Sequence, residues 1–203
     1  MSDIIKFKEI VIYKGEMKMS NINKERMQEI EQKTLKLLEK IDLEENPYVD
    51  IVALVRKEGF IVEPNTMEIE TTGYLFVNED EKERNIYVNT QFRNPEKETD
   101  VVFKKSRFIT AHEYGHFILH KKEGEPIYAH RDTEHRKEPI ELEADYFARS
   151  ILMPLEYFKS YYEILNELGG NEEKFTIEIL SRLFKVTKNK VRKRVEDLLI
   201  LSQ

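Results

Sequence analysis

One five-residue segment contains residue types that together can hold a metal ion and move a proton. In His112-Glu113-Tyr114-Gly115-His116 the two histidines are four positions apart, so on a helix they stand one turn apart on the same face. Both imidazoles can then reach one metal ion, and zinc suits two imidazoles and a carboxylate. Glu113 lies beside that face and can take a proton from a water molecule at the site. The segment predicts a catalytic zinc site with Glu113 as general base.

The surroundings of this segment favour a buried site. Ser106 to His120 has the apolar content of a core helix, with Phe108, Ile109 and Phe117 among its residues. Polar groups inside such a helix need partners, because burial without a hydrogen bond or a charge partner is unfavourable. A metal ion satisfies two histidines at once.

The third ligand does not come from the same helix. His120 continues the row of histidines but lies eight residues after His112, about 12 Å along a helix axis. Metal–nitrogen bonds of about 2 Å cannot span that distance together with His112. We therefore predict that His120 supports the site or packs at the helix end.

A carboxylate on a later helix is the expected third ligand. Glu141 and Asp145 are four positions apart and share a helix face. Glu141 would bind the metal while Asp145 accepts the outer N–H of a ligating histidine. Glu143 stays open as an alternative third ligand, and acidic residues in a first helical turn also occur because of the helix dipole alone.

Four further side chains are weaker candidates. The charged segment Lys121 to Glu138 predicts a long surface loop, on which His130 and His135 are expected to be solvated. A loop over the site could bring one of them, or Tyr128 or Tyr146, to the substrate, although no spacing rule connects these residues with the metal.

Composition excludes several classes of protein. The 203 residues include no cysteine, so disulfide frameworks, thiol nucleophiles and cysteine-bound zinc are excluded. The net charge is −6, and the purely apolar run Ile51 to Val55 is far shorter than a membrane span. The first residues show no basic region followed by an apolar stretch, which is the pattern of a secretory signal peptide. A cytoplasmic protein with one domain or a core with an appendage is predicted.

Periodicity predicts an α+β order of elements. The predicted elements are a helix after the N-cap Asn23, a helix from Tyr48 to Lys57, a short strand Phe60 to Val62, an antiparallel hairpin of Gly73–Asn78 and Asn85–Asn89, helices from Ile140 to Leu152 and from Met153 to Gly169, and two helices between Thr176 and Leu201 with a break at Lys185 to Thr187. A possible strand precedes them at Ile10 to Tyr13.

Several motifs together resemble the ImmA/IrrE family of zinc metallopeptidases. They are RFITAHEYGHFILH at residues 107–120, ELEADYFA from Glu141 and ILMP from Ile151. The resemblance covers roughly Tyr48 to Leu155. It implies a zincin-like catalytic domain with a small antiparallel sheet, the HExxH helix, and a helical C-terminal part resembling a helix-turn-helix.

The same resemblance implies roles for residues and a substrate. Zn²⁺ would lie on His112, His116 and Glu141, with Glu113 as general base. Such proteins, from bacteria and their mobile elements, cleave a helix-turn-helix repressor and so relieve repression. An alternative is a non-catalytic metal-binding regulator of transcription or stress that binds DNA or sequesters a repressor. The chain would divide into an N-terminal extension (1–45), a peptidase domain (46–168) and a helix-turn-helix-like segment (171–203).

Two surfaces are candidates for contacts with other molecules. Between Arg182 and Arg194 lie seven basic and no acidic residues. Five of them could neutralise phosphates if the last helix met a DNA groove: Lys188, Lys190, Arg192, Lys193 and Arg194. Such a run is typical of a solvated or packed helix, so direct DNA binding is not the main expectation. By analogy with other zinc peptidases, the strand Asn85–Asn89 is expected to hold an extended substrate segment.

Overall fold

The computed structural model describes residues 22–41, 47–68, 71–78, 82–89, 100–122, 127–131, 138–169 and 172–203. Within them the chain is α+β, with seven helices and four strands. The helices are α1 (Lys24–Leu38), α2 (Ile51–Lys57), α3 (Asp100–His120), α4 (Pro139–Leu152), α5 (Leu155–Leu168), α6 (Glu173–Leu183) and α7 (Lys188–Leu201). The strands are β1 (Ile61–Asn65), β2 (Gly73–Asn78), β3 (Glu83–Asn89) and β4 (Ile127–Arg131). The expected strand at Ile10 to Tyr13 lies outside the described residues.

The four strands form one sheet in the order β1-β3-β2-β4. The predicted hairpin is confirmed, because β2 and β3 pair antiparallel with Gly73 opposite Val88. The sheet as a whole is mixed rather than antiparallel, because β1 runs parallel to β3 with Val62 opposite Ile86. The strand β3 lies between β1 and β2, and β2 lies between β3 and β4.

Two expectations about strands are wrong. The segment predicted as a loop contains β4, which pairs antiparallel with β2, so that Ala129 lies opposite Leu75. The strand has only five residues, several of them polar, so its sequence shows no clear alternation of apolar and polar residues. Backbone pairing with β2 therefore determines its conformation. The strand Asn85–Asn89 belongs to β3, whose two edges are occupied by β1 and β2. It therefore offers no free edge to a substrate.

The helices begin and end for local reasons that the sequence contains. Asn23 caps α1, since its side chain accepts a hydrogen bond from the backbone N–H of Arg26 at 2.8 Å. One face of α1 is buried, with Met27, Ile30 and Leu38 among its residues. Gly59 ends α2 with φ at 86°, a conformation that glycine adopts without strain. The helix α3 starts at Asp100, six residues before the predicted start at Ser106.

The core lies where α3 packs between the sheet and α4. Leu75 and Ile86 come from the sheet, Tyr114 from α3 and Phe147 from α4, and all four are fully buried. Gly115 allows the two helices to approach closely, because a Cβ there would lie 2.9 Å from Cδ1 of Phe147. This close contact brings the inner faces of α3 and α4 together.

Arg107 joins the C-terminal helices to the rest of the fold. Its guanidinium donates hydrogen bonds to the carbonyls of Val49 (2.5 Å), Phe184 (2.9 Å) and Lys185 (2.6 Å). The last two belong to the turn between α6 and α7, at the predicted break. Carbonyls at the end of a helix lack partners within the helix, so a buried arginine is a suitable donor for them.

None of the helices in the described ranges is long and apolar enough to cross a membrane.

Candidate metal centre

Three side chains from two helices meet in the contact between α3 and α4. Nε2 of His112 lies 3.1 Å from Nε2 of His116. The Glu141 carboxylate approaches both rings, with Oε2 3.2 Å from His112 and Oε1 3.0 Å from His116. All three residues are buried. In the part of the chain that the structure describes, this is the one group of three such residues whose ligand atoms could share a metal ion.

The donor set fits a tetrahedral metal ion. Zinc bonds of about 2.0–2.2 Å place two ligands of a tetrahedral site roughly 3.3–3.6 Å apart. The three separations between His112, His116 and Glu141, 3.0 to 3.2 Å, are within a few tenths of an ångström of that spacing. Two imidazoles and one carboxylate are also the ligands of one kind of catalytic zinc site.

Asp145 sets the orientation of His112. Its Oδ1 lies 3.0 Å from Nδ1 of His112, and a carboxylate at this distance can only accept a hydrogen bond. We therefore assign the proton of the neutral ring to Nδ1 of His112. Nε2 then carries a lone pair that faces His116 and Glu141.

His116 has a different set of supports. Its Nδ1 lies 3.2 Å from Nδ1 of His120, and Nε2 of His120 lies 3.2 Å from Oε2 of Glu143. Arg26, on α1, donates from Nη2 to the same Glu143 oxygen at 2.7 Å. Burial is the largest influence on the pKa of His120 and lowers it, which favours the neutral ring. Glu143, the alternative third ligand, is thus placed against Arg26 and His120.

The two imidazoles and the carboxylate at the centre favour a bound cation. A proton on Nδ1 of each histidine would direct both Nε2 lone pairs to the point where Glu141 directs its carboxylate. Three electron-pair donors that meet in a buried place repel one another unless a positive charge lies between them.

Glu113 is fully buried next to the first residue of β2. A Cβ on Gly73 would lie 2.7 Å from Oε1 of Glu113 and 2.4 Å from Cγ2 of Ile109. A side chain at position 73 would therefore occupy the space of the carboxylate. Gly73 is not among the residues predicted for the site, although a glycine that opens a strand is a signal for a close approach of this kind.

The helix α7 also reaches the centre. Nζ of Lys190 lies 3.3 Å from Oδ2 of Asp145 and 3.6 Å from the centre of the Phe108 ring. Arg149 donates a hydrogen bond to the backbone carbonyl of Asp145 at 3.2 Å. The residue that orients His112 is thus fixed by α4 and by α7.

Arg194 was expected to be available for phosphate contacts, but the structure shows that it is not available. Arg194 is fully buried and donates to the two carboxylate oxygens of Glu31 at 2.6 and 3.0 Å, so it cannot reach DNA. Lys188, Arg192 and Lys193 are about half exposed, and each pairs with a glutamate of α6 or α7. The sequence signal for the burial of Arg194 is its place in the apolar stripe of α7.

The weaker candidates take no described part in the centre. Tyr146 is fully buried, and its hydroxyl donates to Oε1 of Glu31 at 2.6 Å, so it is not available to a substrate. The side chains of Tyr128 and His130, and the whole of His135, lie outside the described residues.

The family model of the IrrE N-terminal-like domain, a peptidase family, matches residues 61–196. The chain belongs to this family. The match includes every residue of the His112, His116 and Glu141 group, so the IrrE-like domain and a buried set of metal-binding side chains coincide. The helix α1, with Arg26 and Glu31, precedes the matched IrrE-like segment. Curated proteins give no match to the chain.

Proposed function

We propose that the protein is a zinc-dependent endopeptidase that cleaves a protein substrate. The observation that carries this proposal is the convergence of His112, His116 and Glu141, with the buried Glu113 directly after His112 on α3. Family membership supports the peptide bond as the target. A zinc ion held by such a ligand set polarises a carbonyl and activates water near neutral pH.

Glu113 is the general base in this proposal. It follows His112 directly on α3, and its buried carboxylate lies at Gly73, the first residue of β2. The carboxylate would accept the proton of the attacking water and deliver it to the leaving amine. Its position depends on the absence of a side chain at Gly73. Asp145 would keep His112 in the tautomer that leaves Nε2 free to bind the metal.

The substrate segment is proposed to lie along β4 rather than β3. Among the residues that the structure describes, β4 pairs on one side only, with β2. An edge strand presents backbone N–H and C=O groups that an extended peptide can pair with. The neighbouring β2 begins at Gly73, against Glu113. A peptide on β4 would therefore bind to the same sheet that supports the general base.

The resemblance to ImmA/IrrE proteins supports a helix-turn-helix repressor as the substrate, with release of the genes it silences as the result. The alternative, a regulator that binds DNA through α6 and α7, has less support, because Arg194 is buried and Lys190 contacts Asp145. Sequestration without cleavage would not require Glu113. One variant of this residue therefore separates the functions.

The experiment compares cleavage by the parent protein and by Glu113→Gln. Each is loaded with zinc and incubated with a peptide mixture from a digested bacterial extract, and new termini are counted by mass spectrometry. We expect new termini from the parent and a loss of at least 100-fold in Glu113→Gln, since a general base contributes about 10²–10⁴-fold. Zinc content should stay the same in the variant.

A glutamate far from the centre provides the control. Glu156 is exposed on α5, and Glu156→Gln should cleave like the parent. If the zinc-loaded parent produced no more new termini than Glu113→Gln, the peptidase proposal would be wrong. The regulator alternative would then be tested by DNA binding and by repressor binding.

A further inference from the structure

A row of polar side chains runs from α1 to His116. Arg26 donates to Glu143 at 2.7 Å, Glu143 lies 3.2 Å from Nε2 of His120, and Nδ1 of His120 lies 3.2 Å from Nδ1 of His116. We name Arg26, Glu143 and His120 the support chain. His120 is four residues after His116, so the two rings are neighbours on α3.

We propose that the support chain positions His116 for the metal, and that α1 is thereby part of the metal centre. This inference rests on the proposed function, because it concerns the same metal. His120, Glu143 and Arg26 would be positioning residues that do not touch the metal. Their effect would be to keep the proton of His116 on Nδ1 and its lone pair on Nε2.

The direction of each hydrogen bond follows from the outer end of the chain. The guanidinium of Arg26 can only donate, and the carboxylate of Glu143 can only accept. Nε2 of His120 must therefore carry the proton that it shares with Glu143. In the neutral ring Nδ1 of His120 is then an acceptor, and Nδ1 of His116 is the donor. A metal-binding histidine is commonly fixed through its other nitrogen in this way.

The two ligating histidines therefore have separate supports. His112 is held by Asp145, which contacts Lys190 of α7. His116 is held by the support chain, which ends at Arg26 of α1. Each support ends in a cation from a helix that supplies no ligand. A defect in one support should therefore leave the other intact.

Arg26 lies outside the segment that defines the family. The family model matches residues 61–196, and Arg26 lies before that segment. The Arg26–Glu143 hydrogen bond joins residues 117 positions apart. The side chain of Arg26 is 28% exposed and that of Glu143 is 21% exposed, so the pair is partly shielded from solvent and from screening by salt.

The test measures zinc affinity by competition with a chromophoric chelator, using the full chain. In His120→Leu the acceptor for His116 is lost, and we expect affinity to fall about 10-fold or more. In His120→Asn the amide oxygen occupies nearly the place of Nδ1, so most of the affinity should be kept. Arg26→Met should weaken binding by a factor of about three, because Glu143 and His120 remain.

A matched control uses the second partner of Arg26. Glu29 pairs with Arg26 at 2.8 Å and has a side chain that is 60% exposed, so Glu29→Gln should leave zinc affinity unchanged. In the double variant of Arg26→Met and His120→Leu, affinity should equal that of His120→Leu alone. If the two substitutions acted independently, their free-energy effects on zinc binding would add.

Two further readouts separate positioning from folding. Urea unfolding of the metal-free variants reports any general loss of stability. The visible absorption of the Co²⁺-loaded protein reports ligand geometry and should change in His120→Leu but not in Glu29→Gln.

The outcomes distinguish this inference from the proposed function. If the parent binds zinc and His120→Leu binds it equally well, the support chain has no positioning role, and the peptidase proposal stands. Equal losses in His120→Leu and His120→Asn would also overturn the inference, because the hydrogen bond would then be irrelevant. A parent that binds no zinc would overturn both proposals.

Discussion

Two polar clusters each include a residue of α4, and they differ in the source of positive charge. The metal cluster consists of His112, His116 and Glu141, and the ion-pair cluster consists of Glu31 and Arg194 with the hydroxyl of Tyr146. In the ion-pair cluster the protein supplies both donors and acceptors.

The metal cluster directs only electron-pair donors at its centre, so it needs a positive charge that its own three side chains do not provide. Burial of polar groups is common to both clusters and therefore indicates no function by itself. The balance of donors and acceptors is what distinguishes a binding site from a structural contact.

The ion-pair cluster is closed on itself. Arg194 gives two hydrogen bonds to Glu31 and one, at 3.0 Å, to the carbonyl of Met153. The pKa of Tyr146 is raised, first by burial and then by the nearby charge of Glu31, so its hydroxyl stays protonated and donates. The cluster joins α1, α4 and α7, which makes it a structural counterpart to the metal cluster.

The largest expected effect comes from removing the cation of the ion-pair cluster. Arg194→Met leaves the Glu31 carboxylate buried without its partner, and we expect the free energy of unfolding to fall by about 3–5 kcal/mol. Urea unfolding measures this change. The neighbouring Lys193 is about half exposed, so Lys193→Met should change stability by less than about 0.5 kcal/mol. Equal stability of the two variants would show that the clusters do not differ as described.

The second test adds and removes the cation of the metal cluster. Zinc at 100 times its dissociation constant should raise the free energy of unfolding by about 2.7 kcal/mol, and a chelator should reverse the gain. Thermal or urea unfolding in both conditions measures it. Glu141→Ala should show no zinc-dependent change, whereas Glu143→Ala should retain one. The opposite result for these two variants would assign the third ligand to Glu143.

The third test concerns the space beside Glu113. Gly73→Ala places a methyl group against Ile109 and the carboxylate, and such overpacking is expected to lower stability by about 1–3 kcal/mol. Peptide cleavage should fall more than zinc affinity, because the displaced group is the proposed general base. Gly59→Ala is the control, since it strains the backbone at a φ of 86° where no atom lies within 4 Å of the added Cβ. It should lower stability and leave cleavage by the folded protein unchanged.

The smallest effect is a change in acid sensitivity. Burial raises the pKa of Glu31, but the charge and hydrogen bonds of Arg194 outweigh burial, and the net shift is downward. A carboxylate with a lowered pKa in the folded state stabilises the protein above its unfolded pKa, and this contribution is lost as the pH falls through the folded value. Urea unfolding of the metal-free protein between pH 7 and 3 should therefore show a shallower pH dependence in Glu31→Gln. An unchanged slope would contradict this assignment.

Local spacing predicts most helices and the neighbouring side chains within each helix of the site, whereas the contact of Glu141 with the two histidines depends on the packing of α3 against α4. Four-residue separations bring His112 next to His116 and place Glu141 on the same face as Asp145, because an α-helix turns once in 3.6 residues. The contact of Asp145 with Nδ1 of His112 was expected from the same arithmetic. The spacing of apolar residues also indicates which face of α1 and of α7 is buried.

Long-range partners were not predictable from spacing. Arg26 meets Glu143 across 117 positions, and Glu31 meets Arg194 across 163, so no helical or strand period relates them. The strand β4 was missed because its pairing with β2, rather than its own pattern, determines it. The pairing of β1 with β3 was missed for the same reason.

The separations along the chain have a consequence for the order of folding. His112 and Asp145 are 33 positions apart, whereas Glu31 and Arg194 are 163 apart. The entropic free-energy cost of closing the longer loop is about 1.4 kcal/mol greater than that of closing the shorter one. On this basis the contact of α3 with α4 should form before α1 docks on α7.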